Sequence, residues 1–278
     1  MSDTETVSRG AVTAPAAGPA AAKPPRKLNP KIKIALGQIA VVIVWLGSWQ
    51  WMSGRLIDPF FTSSPGAIGQ QLLEWFRTGS IWPHLLITLQ EFGAGLAIGS
   101  VAGVLVGFTL GRLPTTAAVL NPFVTVVYSM PKLALAPLFV LWFGIGFGSK
   151  IVLVGLISFF LVFYNTFTGA RDVDPLFINS LRIMGANRLT IYRRVVMPSA
   201  AVWVMTGLRI AVPQAVIGAV VGELISSNQG VGYVIANAAA FFNTTGVLAG
   251  VALVACVSVI LSQLIIVLER WATRWKQG

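Results

Sequence analysis

The residues able to do chemistry in this 278-residue chain are few, and most are cations. Arg182, Arg188, Arg193 and Arg194 crowd into one water-compatible segment, 174–200, between two strongly apolar runs. Guanidinium groups at that density meet acidic side chains of a partner or the phosphates of lipid. Three more charges, Lys132, Arg209 and Glu223, lie inside or at the end of apolar runs, where a charge is costly and commonly functional. Lys132 either lines a path and attracts an anion, or snorkels toward headgroups. Arg209 needs a carbonyl, a water or a bound solute as partner, and reads as a structural clamp or a direct solute contact. The single histidine, His84, has no second histidine or cysteine to share a metal, so a loop or helix-cap role is expected. Cys256 is the only cysteine, which excludes an intramolecular disulfide and leaves it a small packing residue. The stretch GIGFGSK at 144–150 has glycines and lysine at the wrong spacing for a phosphate loop. No HExxH and no convincing Ser/His/Asp set occurs. The inventory contains neither catalytic residues nor metal ligands; it suits binding and movement.

The elements that carry these residues are membrane spans. Hydrophobic residues make up 55% of the chain and charged ones 10%, with mean hydropathy +0.78, which excludes a soluble globular domain. The net charge of +11 reports basic loops facing anionic lipid and partner proteins. It does not mark nucleic-acid binding, because the basic residues are not interleaved with aromatics. Residues 1–30, rich in Ala, Pro, Gly, Ser and Thr, are expected to form a disordered cytoplasmic tail. Lys23, Arg26, Lys27, Lys31 and Lys33 then precede an apolar run too long for a signal core, and hold the N-terminus in the cytoplasm. The remaining 31–278 forms an all-α integral membrane domain of about six spans: 34–52, 88–110, 116–143, 150–169, 200–221 and 246–268. Trp45, Trp49 and Trp51 mark an interface, and 53–86 lies outside with an amphipathic helix over 67–79. In the second span Gly95, Gly99, Gly103, Gly107 and Gly111 recur at four-residue spacing, a face for close backbone approach. The third span holds Pro122, Pro131 and Pro137 and must be broken, which membrane depth tolerates only where the backbone is buried in protein or lines a cavity. With both termini inside, only Arg55, Arg77 and Lys150 fall outside, as the positive-inside rule requires.

The segment 171–199 gives the most specific signal. Asp174-Pro175 starts one short helix, Gly185 breaks it, and Pro198 closes a second. A glycine followed thirteen residues later by proline, here Gly185 and Pro198 with Val195 and Met197 before the proline, resembles the cytoplasmic "EAA" loop of ABC importer permeases. The chain departs from that pattern at Asn179, Ser180 and Leu181, which replace Glu-Ala-Ala. MPKLALAPLFVLWFG, with Pro131, Ala134, Leu135, Pro137, Leu138, Trp142, Phe143 and Gly144, resembles the matching segment of permeases for nitrate, taurine and alkanesulfonates. Gly230-Val231-Gly232-Tyr233 resembles the same family's outer turn.

The resemblance, over roughly residues 65–275, implies a type I (MetI-like) importer fold in a bacterial inner membrane. It implies two permease copies per complex, here a homodimer, an extracytoplasmic binding protein, and separate ATPase subunits that bind ATP and Mg. The chain itself is then no enzyme and holds no cofactor. Coupling to the ATPase falls to Gly185, Ala186, Asn187, Arg188, Leu189, Tyr192, Arg193, Val196 and Pro198, with Leu189, Tyr192 and Val196 on one face suited to a groove. Lys132, Arg209 and Glu223 are the expected residues of the translocation path, Glu223 at its outer mouth. The transported solute is a small one, passed on by the binding protein. Lys132 and Arg209 favour nitrate or a sulfonate, whereas Glu91 stands where many such permeases carry a basic residue, nearer to relatives handling pyrimidine-like, flavin-like or aromatic compounds. An ATP-independent secondary transporter or channel is the alternative; no internal repeat supports it.

Overall fold

The computed structural model describes residues 30–171 and 175–272. Most of the expected N-terminal tail, Asp174 of the helix start, and the terminal basics Arg274 and Lys276 lie outside the described residues. Residues up to Gly47 and residues from Ser48 onward are two separate units.

The first unit holds most of α1 (Pro30–Met52), which carries no charged residue beyond Lys33. Its 21-residue stretch from Ile32 is about 31 Å long at 1.5 Å per residue, the thickness of a hydrocarbon core.

The second unit is all helical among the described residues: α2 (Pro59–Thr62), α3 (Pro65–Thr78), α4 (Ile81–Gly111), α5 (Pro114–Ser129), α6 (Ala136–Phe143), α7 (Phe147–Arg171), α8 (Pro175–Ile183), α9 (Arg188–Ile191), α10 (Met197–Ile225), α11 (Val231–Ala240) and α12 (Thr244–Ala272). Ser64 opens α3 by accepting from the Ala67 N–H at 3.2 Å, with Pro65 in the first turn. α4, α7, α12 and the continuous helix Arg188–Ile225 are long and apolar enough to cross a membrane. With α1 that makes five such helices, or six when the bent pair 115–143 is taken as one span.

The glycine ladder decides the topology. Gly95 meets Val154 and Ile151, Gly99 meets Gly155, Gly103 meets Phe159 to Phe163, Gly107 meets Phe163 to Phe167, and Gly111 meets Ala170. Both numbers rise together, so α4 and α7 run parallel. A Cβ built on Gly99 would sit 2.2 Å from the Gly155 carbonyl oxygen, so the two backbones touch. Parallel spans need an odd number of crossings between them, so the segment 114–143 crosses the membrane and is not re-entrant. It does so as a broken span. α5 ends at Ser129, a 3-10 turn covers Lys132–Leu135, and α6 leaves at 75° to the first half. Pro131 and Pro137 supply no backbone N–H at the break, which uncouples the halves.

α10 runs antiparallel to α7: Gly169 lies on Trp203, Gly207 on Val162, and Gly222 on Lys150 and Leu153. α12 packs on α11 where Gly250 receives Ile235, and Ser63 bonds Thr245 at 2.8 Å. The unit therefore has an α11 end, holding residues near 63, 81–91, 147–150 and 222–245, and an arginine end, holding residues near 108–113, 167–171 and 176–203.

Candidate functional site

At the arginine end, α8 and α9 are joined by a turn at Gly185, whose φ of +79° lies in the left-handed region that side chains avoid. The Gly185 N–H donates to the Arg182 carbonyl at 3.0 Å and the Ala186 N–H to the Leu181 carbonyl at 2.9 Å, closing α8. Asn187 then caps α9, its side-chain oxygen accepting from the Thr190 N–H at 2.8 Å. No break separates α9 from α10: a π-helical turn, Tyr192–Val196, carries the chain from one to the other.

That π turn changes which residues face out. The sequence spacing puts Leu189, Tyr192 and Val196 on one outward face. In the structure Leu189 is exposed and Tyr192 half so, but Val196 is buried with Ile191 against Phe108, Ile178 and Leu181. The wider i→i+5 turn inserts a residue into the helical count and swings Val196 inward. Tyr192 meets the Phe108 ring edge-on at 5.4 Å, tying the segment to α4. Arg182, Arg188, Arg193 and Arg194 are exposed, and Pro198 is half-buried in the first turn of α10. The most exposed apolar pair, Ile183 and Met184 at 87% and 80%, was not singled out from the sequence. The available signal was two large apolar residues directly before a turn glycine.

The path residues fall apart from one another. Lys132 sits at the break of the third span, its Nζ donating to the Tyr128 carbonyl at 2.6 Å and lying over the Tyr128 and Phe160 rings. The ammonium thus closes the C-terminal carbonyls of α5 as well as presenting charge. Arg209 is more than half exposed on α10 and reaches Glu269 of α12 at 4.0 Å. Glu223, expected at the mouth of the path, is 1% exposed. Its Oε1 accepts from the Thr88 hydroxyl at 2.7 Å and its Oε2 from the Gly232 N–H at 2.6 Å. Gly230, with φ +105°, lies so close that a Cβ there would meet the Glu223 carboxyl at 2.2 Å.

Around Glu223 the structure assembles what the sequence left scattered. Lys150, counted among the outer charges, is buried in the second turn of α7, 3.3 Å from Glu91 Oε1 and donating to the Ser227 hydroxyl at 2.8 Å. Glu91, read as a hint about the solute, is neutralised inside the protein by that lysine. His84 Nδ1 accepts from the Gly230 N–H at 3.1 Å and its ring stacks on Tyr233, the capping role expected of it. α4 accordingly starts at Ile81, seven residues before the expected span, because Thr88 and Glu91 find partners there instead of water.

A bundle of apolar spans with one broken crossing, a basic helical platform at one end and a latched turn at the other fits a membrane transport permease. Residues 98–274 match the family of binding-protein-dependent transport system inner membrane components, and the chain belongs to that family, the permease subunits of ABC importers. It is 32% identical over 254 residues to the taurine transport system permease protein TauC of Escherichia coli, covering 89% of this chain and 91% of that one. It is 31% identical over 258 residues to SsuC of Bacillus subtilis, described as an aliphatic sulfonates transport permease, covering 92% of each. The fold is shared with the methionine ABC transporter MetNI in an inward-facing conformation, at TM-score 0.53 and 22% identity over 73% of this chain and 96% of that one.

Proposed function

We propose that this permease passes a small sulfonate, taurine or an aliphatic sulfonate, from an extracytoplasmic binding protein to the cytoplasm. It works as one of two identical copies, driven by separate ATPase subunits that bind ATP and Mg. The observation that carries this reading is the likeness to the taurine and sulfonate permeases along nearly the whole chain. The arginine end faces the cytoplasm together with both termini, since Arg112, Arg171, Arg182, Arg188, Arg193 and Arg194 gather there. The ATPase docks on the exposed surface of Gly185, Asn187, Arg188, Leu189 and Arg193, while half-buried Ala186, with Tyr192, Val196 and Pro198, anchors that surface to the spans. Lys132 and Arg209 supply positive charge along the route of an anion. Glu223 serves as a latch rather than a path residue, given its burial.

The test is reconstitution with the cognate ATPase in vesicles, with taurine- and sulfonate-loaded binding proteins added. One of them should stimulate ATP hydrolysis and uptake. Gly185→Pro, which forces φ near −65° where the chain needs +79°, should abolish the stimulation while the protein stays monodisperse. Uptake that follows an ion gradient without ATP would sink the reading and favour the secondary transporter.

A further inference from the structure

The α11 end contains a charge imbalance that the transport reading does not use. Glu91, Lys150 and Glu223 come from α4, α7 and α10, and are 1%, 3% and 1% exposed. Thr88, which donates to Glu223 Oε1 at 2.7 Å, lies one turn before Glu91 on α4, and Lys150, 3.3 Å from Glu91, packs against Gly222 beside Glu223, so the two carboxyls and the ammonium share one buried cluster. Glu91 gives Oε1 to Lys150, but its Oε2 is fully buried and has no hydrogen-bond donor among the described residues. Glu223 is already supplied by Thr88 and the Gly232 N–H. Two ionised carboxylates against one ammonium would leave a net charge of −1 on side chains at most 3% exposed, and of two carboxylates that share such a site one is pushed toward its protonated form. Among the described residues no other cation is at hand. From α4 the remaining titratable neighbour is His84, whose Nδ1 already accepts from Gly230. α11 offers only Tyr233, stacked on that histidine, and the charges of α3, Glu74 and Arg77, are exposed. Cys256, the one titratable side chain in the neighbouring half of α12, is exposed as well.

We propose that Glu91 and Glu223 bind one proton between them, and that this proton closes the α11 end of the bundle. It supplies the donor that Glu91 Oε2 lacks, leaves a single negative charge for Lys150, and holds α4, α7 and α10 together beneath α11. Removal of the proton sets two like charges against each other directly under the Gly230–Gly232 turn. The released repulsion acts on α11, at whose far end Phe241 and Phe242 are three-quarters exposed. The site is a proton site with a conformational output, and it stands whether or not the solute is a sulfonate.

The experiment is infrared spectroscopy of the purified full chain, following the carbonyl stretch that a protonated carboxylic acid has and a carboxylate lacks. At neutral pH the wild type should show a band worth one carboxyl per chain. Glu91→Gln and Glu223→Gln should each remove it, and Glu74→Gln should not. Raising the pH should bleach the wild-type band together with a fall in thermal stability, a fall missing from Glu91→Gln, whose amide supplies the donor permanently. A wild type without the band at neutral pH would overturn the proposal, as would a band that survives in both glutamine variants. So would stability that rises with sodium in place of protons, which would make the site a metal-cation site. Should one glutamine variant fail to fold, the wild-type titration and the other variant still decide. Loss of sulfonate uptake with the band intact would count against the transport reading alone.

Discussion

Adding one methyl group at Gly99 should separate two helices. The Cβ of an alanine there would lie 2.2 Å from the Gly155 carbonyl oxygen and 2.9 Å from the Gly155 Cα, both of them backbone atoms of α7. A side chain could rotate away; a helical backbone cannot. α4 and α7 would have to move apart by about an ångström at the centre of their contact, disturbing Gly95 and Gly103 on either side. Forced overpacking of this kind costs about 1–3 kcal/mol. It is set against the roughly 0.5–1 kcal/mol that alanine ordinarily gains over glycine within a helix. Two controls make the expectation sharp. Gly93→Ala, on the same helix with nothing within 4 Å of the new methyl, should be neutral or stabilising. Gly155→Ala, across the same contact, meets only the Gly95 carbonyl at an ordinary 3.5 Å and should be mild. The assay is thermal unfolding in detergent followed by size exclusion, in which Gly99→Ala should fall by several degrees. A Gly99→Ala protein as stable as Gly93→Ala would refute the backbone contact and the parallel pairing built on it.

Two further outcomes follow from the ends of the bundle. Lys150→Met leaves the buried carboxyl pair without its cation and should cost about 3–5 kcal/mol in the same unfolding assay; Arg77→Met, an exposed charge at the same end, should cost nothing measurable. Asn187→Ala removes the cap of α9, about 1 kcal/mol of local helix stability. Hydrogen exchange should therefore quicken in 188–196 while the α4 core stays protected, and unchanged exchange there would show that the cap holds nothing.

The apolar runs, the proline-broken third crossing and the glycine face of α4 were legible in the sequence because each is a local pattern: hydropathy over twenty residues, missing N–H groups, a period of four. Which helix that face meets was not. The partner is α7, and its parallel direction emerges only from matching Gly95 to Val154 and Gly111 to Ala170. Charges misled for the same reason. Lys150 reads as an outer charge and Glu91 as a hint about the solute because a sequence shows each alone, whereas the two, 59 positions apart, pair inside the bundle. Glu223 likewise gains its burial from Thr88 and Gly232, which no spacing rule connects. At the basic platform the arginines and the glycine turn were evident. The inward turn of Val196 was hidden, because a π turn leaves no clear mark in residue types.

The unbroken passage from α9 through the π turn into α10 makes a single lever. Its 38 residues, Arg188 to Ile225, measure about 57 Å at 1.5 Å per residue. One tip carries the exposed Arg188 and Leu189; the other carries Glu223. The fulcrum is the flank of α7, on which Gly207, Gly218 and Gly222 bear. A tilt of ten degrees about the midpoint would swing each tip by about 5 Å in opposite senses. That stroke exceeds the reach of a hydrogen bond, so a push on the arginine end reaches the Glu223 contacts through one continuous helix. The lever also has two softer points, the π turn, where the ladder widens, and Pro213, which lacks an N–H. Stiffening either point would change how much of the stroke arrives.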